Sequence, residues 1–96
     1  MAKKLKTKKW DSAEYLKTEK DIAAYLNACF EEHGDDPAFI AHAFGVVAKA
    51  RGMSAVAKKA GLTREGLYKS LSEAGNPEFS TILKVTNALG MRLQVA

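Results

Sequence analysis

The residues that most often carry chemistry are few in this chain and poorly placed for it. His33 and His42 stand nine positions apart in separate helical stretches, and Cys29 has no second thiol to pair with. No His, Cys and carboxylate share the spacing that closes a metal shell. Ser54, Ser70, Ser72 and Ser80 have no histidine at a position that would make one of them a nucleophile. The run Gly61-Leu62-Thr63-Arg64-Glu65-Gly66 has glycines spaced as in a phosphate loop but lacks the Lys-Ser/Thr that completes one. No catalysis, metal, cofactor or small-molecule substrate is therefore expected.

Residues 54–71, SAVAKKAGLTREGLYKSL, carry a different chemistry. Their order is that of two short helices around a tight turn. Ala57 is small where the helices must cross closely, and Gly61, four residues on, can take a left-handed conformation. Leu62 turns inward, Thr63 caps the next helix, and Leu67 and Leu71 form its buried stripe. Such a helix-turn-helix, spanning 54–73, points Arg64, Glu65, Tyr68, Lys69 and Ser72 outward, where a recognition helix meets the DNA major groove. Arg64 suits guanine and Glu65 suits the cytosine amino group. Ser54 and Thr63, at helix starts, suit phosphate, and Lys58, Lys59 and Lys69 supply charge to it. The plainer reading of the same residues is a helical hairpin with a solvated basic face. The basic balance of residues 37–96 favours DNA.

These residues need elements to hold them. Thr18 opens a first helix, with Glu19 and Asp21 at its positive end and Ile22, Leu26, Cys29 and Phe30 on one face; Gly34 stops it. Asp36-Pro37 opens a second, striped by Phe39, Ile40, Ala43, Phe44, Val47 and Ala48 and ending near Arg51-Gly52. Ser54 is expected to cap a third over 55–60, with Val56, Ala57 and Ala60 inward, and Thr63 a fourth from Arg64 to about Glu73. A fifth starts at Glu78 or Ser80, carries Phe79, Ile82, Leu83, Thr86 and Leu89, and ends at Gly90. Residues 91–95 alternate apolar and polar, which predicts a short strand. Such a strand most simply pairs with its twin, making Met91, Leu93 and Val95 a dimer interface. The expectation is an all-α, five-helix domain over residues 10–96 with a C-terminal strand. It is expected to be a homodimer, since one recognition helix rarely gives enough affinity or site length.

Charge divides the chain further. The total is +4 over 96 residues. Residues 1–10 carry five lysines and no acid; residues 11–36 carry eight acids against Lys17 and Lys20; residues 37–96 carry eight bases against three acids. A basic flexible tail over 1–9, an acidic first third and a basic remainder suggest two unlike partners. No apolar run approaches the roughly 18 residues that cross a bilayer, so no membrane association is expected. The Lys-rich start leads into Trp10-Asp11-Ser12 rather than the apolar stretch of a secretory signal. With a lone cysteine, a cytoplasmic setting is expected.

The helix-turn-helix resembles that of the Xre/Cro-like repressors. The stretches WDSAEYLKTEKDIAAYL and VAKARGMSAVAKKAGLTREGLYKSLSEAGNPEFSTILKVTNALG, which together span residues 10–90, resemble the addiction-module antidote proteins, HigA-like antitoxins of type II toxin–antitoxin pairs. That resemblance implies a lambda-repressor-like fold and two partners: a cognate RelE/HigB-like, mRNA-cleaving toxin, and the operator DNA of the operon encoding both. The acidic segment then acquires a role, because an RNA-cleaving toxin needs a basic surface. Trp10, Asp11, Glu14, Tyr15 and Leu16 are the expected toxin contact, although Trp10, Tyr15 and Leu16 equally suit packing in the chain's own core. A stand-alone Xre-type regulator without a toxin is the alternative function, and an interaction module without DNA binding is a third.

Overall fold

The computed structural model describes residues 16–72 and 76–95. They form α1 (Glu19–His33), α2 (Pro37–Arg51), α3 (Met53–Ala60), α4 (Arg64–Ser70) and α5 (Phe79–Ala88). The described residues include no strand, in keeping with the all-α expectation. Residues 91–95, expected to be a strand, lie in neither helix nor strand and meet no second strand among the described residues.

Each of the first two helices is started by a side chain. Thr18 Oγ1 accepts the Asp21 N–H at 3.0 Å, and the Asp21 carboxylate accepts the Thr18 N–H at 3.2 Å. This reciprocal box satisfies two backbone donors at once. Asp36 Oδ1 accepts the Phe39 N–H at 3.2 Å, with Pro37 at the first helical position, where no N–H is needed. The third helix departs from expectation. It begins at Met53 with no side-chain cap, so Ser54 lies inside α3 and is exposed. Gly52 is the reason. At φ 101° its N–H closes α2 on the Lys49 carbonyl while its own carbonyl accepts the Val56 N–H, so one residue ends a helix and starts the next.

The core gathers Ile22, Leu26 and Cys29 from α1, Phe44, Val47 and Ala48 from α2, and Val56 and Ala57 from α3. Leu67 of α4 and Val85 of α5 complete it. α1 packs on α2, and α3 packs on α2, α4 and α5. Val85, absent from the expected stripe of the last helix, is fully buried, whereas Phe79 is 67% exposed. Phe30 and Leu83 also stay substantially exposed, and Phe30 meets Phe44 edge to face at 6.4 Å. The one buried polar residue among those described, Thr86, donates its hydroxyl to the Ile82 carbonyl at 2.7 Å and accepts the Met91 N–H on its own carbonyl. That pair of bonds ties the C-terminal segment to α5.

Two outcomes follow from the caps and the core. Thr18→Ala removes the hydroxyl that accepts the Asp21 N–H, leaves the Thr18 backbone N–H bond to the Asp21 carboxylate, and is expected to destabilise the fold by about 0.5–2 kcal/mol in urea unfolding. Burial pushes the Cys29 thiol above its usual range; hydrogen bonding with Tyr25 opposes the rise, and the nearby Glu32 charge adds to it. A raised value favours the protonated thiol in the folded state, so its stabilising share is present below the unfolded thiol range and lost as pH rises through the folded value. The melting temperature is therefore expected to fall more steeply between pH 8 and 10 in the natural chain than in Cys29→Ala.

Candidate nucleic-acid interface

The turn between α3 and α4 is fixed by backbone geometry. Gly61 has φ 75° and ψ 29°, and the space where a Cβ would sit is empty, so the demand for glycine comes from the left-handed backbone alone. The Leu62 N–H reaches back to the Ala57 carbonyl at 2.8 Å and the Gly61 N–H to the Lys58 carbonyl, which closes α3. Leu62 packs half-buried against the core. Thr63 Oγ1 accepts the Gly66 N–H at 2.9 Å, and the Thr63 carbonyl accepts the Leu67 N–H at 2.9 Å. Leu67 and Leu71, both buried, then hold one side of α4 to the domain.

The opposite side is open. Arg64, Glu65, Tyr68 and Lys69 are all exposed and line one shallow depression. Glu65 and Lys69 have the i, i+4 spacing of a helical ion pair, yet neither they nor Arg64 pair with any described residue. Tyr68 is 63% exposed, with no hydrogen bond or ring contact among the described residues. Lys58 and Lys59 are exposed in the last turn of α3, where they suit the negative end of that helix. The depression itself is lined by two bases, Arg64 and Lys69, and one acid, Glu65. Among the described residues, none takes up a hydrogen bond or ion pair from these charged heads.

Not every expected contact joins this face. Ser72 lies beyond α4, which ends at Ser70 rather than near Glu73. Its hydroxyl donates to the Lys69 carbonyl at 3.0 Å, an exposed bond just past the end of the helix. Ser54 sits one residue inside α3; Lys59, exposed in the last turn of α3, also borders a hollow with Glu19 and Arg51. Trp10, Asp11, Glu14 and Tyr15 lie outside the described residues, as does the tail over 1–9. Leu16 is 2% exposed and belongs to the core cluster. Met91 is half-buried against its own core, while Leu93 and the 96% exposed Val95 border a trough that Leu26 and Phe30 also line. Phe30, read from sequence as core, is the residue of this trough that helical periodicity misplaces, because it stands at the margin of the α1 stripe.

His33 stacks on Phe39 with ring centroids 4.0 Å apart. Among the described residues, no group of three or more His, Cys, Asp or Glu is arranged to hold a metal ion, and no helix is long and apolar enough to cross a membrane.

Comparison with known proteins adds the family. A family model described as "Probable addiction module antidote protein" matches residues 6–96. A Haemophilus influenzae protein described as "Uncharacterized protein" is 48% identical over 88 residues, covering 92% of this chain and 89% of that one. No solved structure matches. The family match takes in all five helices, the capped turn and the open face of α4, and the chain belongs to the probable addiction module antidote protein family.

Proposed function

We propose that this chain is the DNA-binding antitoxin of a type II toxin–antitoxin pair, which neutralises a RelE/HigB-like, mRNA-cleaving toxin and represses its own operon. The observation that carries the DNA-binding half is the open face of α4: Arg64, Glu65, Tyr68 and Lys69 are exposed together and have no partner among the described residues. In this reading α3 and α4 are a lambda-repressor-like helix-turn-helix, and α4 enters the major groove. Arg64 donates to guanine, Glu65 accepts from cytosine, and Lys69, Lys58 and Lys59 neutralise phosphates. Thr63 caps α4 through its oxygen and keeps its hydroxyl proton to donate to a phosphate. A second copy, covering the exposed Phe30, Leu93 and Val95 of the C-terminal trough, supplies the second reading helix of a two-fold operator.

The antitoxin half is supported by the family description, which also speaks against a stand-alone regulator. Asp11 and Glu14, with Trp10 and Tyr15 as apolar anchors, suit the basic surface that an RNA-cleaving toxin requires.

For DNA, Arg64→Ala is expected to weaken binding to the operon's own upstream region by about 1–3 kcal/mol and to relax one base position. Lys58→Ala and Lys59→Ala should instead weaken all sequences alike, each lowering the salt slope by about 1. Unchanged affinity in Arg64→Ala, measured by titration at fixed salt, removes α4 from the reading role.

For the toxin, Leu16, Ile22 and Leu26 are core, so truncation has to stop short of Leu16. Deleting residues 1–14 is expected to abolish co-purification with the product of the adjoining toxin gene while the remaining domain melts as before. Retained co-purification places the toxin contact elsewhere.

A further inference from the structure

We infer that Tyr68 is a specificity-determining residue that reads the C5-methyl group of a thymine close to the base read by Arg64; this rests on α4 being the DNA-reading helix proposed above. Tyr68 is the one aromatic side chain on α4, and no contact among the described residues accounts for it. It is 63% exposed, and among the described residues it has neither a hydrogen bond nor a ring contact. The stripe that anchors α4 is already supplied by Leu67 and Leu71. The exposed part of the ring leaves apolar area available to a ligand.

Its neighbours narrow what that ligand offers. Arg64 lies one helical turn earlier on the same face, and Glu65 and Lys69 border the same depression. These three are charged and suit the polar groups of base edges and phosphates. Tyr68 alone presents an apolar flank. In the major groove, guanine, adenine and cytosine show only hydrogen-bonding groups, whereas thymine adds a methyl. Four residues along an α-helix advance about 6 Å, against about 3.4 Å per base pair, so the methyl in reach lies within about two base pairs of the Arg64 contact.

The test uses the full chain and a duplex from the region upstream of its own operon, with the bound site located by footprinting. Each thymine within about two base pairs of the Arg64-dependent guanine is replaced by deoxyuridine, which removes the methyl and keeps every hydrogen-bonding group. One replacement is expected to weaken the natural chain about threefold to tenfold, in line with the loss of one buried methyl. Tyr68→Ala should bind the thymine duplex more weakly and show no difference between thymine and deoxyuridine, with an unchanged melting temperature because the ring is exposed. Tyr68→Phe should keep the discrimination. A natural chain that binds its site but ignores every replacement overturns the assignment and leaves α4 as the reading helix. Discrimination that survives in Tyr68→Ala overturns it too, as does a loss in Tyr68→Phe equal across all sequences, the mark of a phosphate contact through the hydroxyl. A natural chain with no affinity for any of this DNA overturns the reading on which the assignment rests.

Discussion

α3 packs against α2, α4 and α5 at once, and it has eight residues with which to do so. Two of its three buried residues are alanines, Ala57 and Ala60, and this is the constraint that the rest of the domain obeys. Small side chains let three helices approach one short one closely, and a close-packed interior gives little room for anything larger there. Ala57 also lends its carbonyl to the Leu62 N–H, so the residue that sets the helix crossing also helps set the turn. The direction of α4, and with it the outward set of Arg64, Glu65, Tyr68 and Lys69, follows from that shared point.

The features legible in the sequence are those whose causes lie within a few residues. The Thr18–Asp21 box, the Asp36-Pro37 start, the left-handed Gly61 and the Thr63 cap are each local hydrogen-bonding or steric facts, and each stands where its residue types put it. Ser54 shows the limit of such reasoning. It is a good cap by type, but the start of α3 belongs to Gly52, whose conformation is fixed by the end of the preceding helix. Phe30, Phe79 and Val85 show a second limit. Periodicity finds a helix's apolar side, yet how far each residue is covered depends on where neighbouring helices cross. The open face of α4 was legible because its opposite face is pinned by Leu67, while the misplacement of Ser72 came from extending the helix past its actual end.

The surface keeps the division of charge seen along the chain. α1 and the turn after it carry Glu31, Glu32, Asp35 and Asp36, whereas Lys58, Lys59, Arg64 and Lys69 lie on α3 and α4. Opposite charges on separate elements offset one another little once they stand farther apart than the screening length of about 8 Å at physiological salt. Glu31, Glu32, Asp35 and Asp36 therefore stay on elements other than those that carry Lys58, Lys59, Arg64 and Lys69, whatever the chain's total.

That the side chains of Arg64, Glu65, Tyr68 and Lys69 make no bond to any described residue bears on how such a domain changes over time. Exchanging any of the four leaves the turn, the cap and the Leu67 anchor as they are, because surface positions away from such features contribute little to stability. The scaffold and the face it displays can thus vary independently. Duplicated copies of one gene could come to recognise different partners by a few substitutions on α4, with no intermediate that fails to fold.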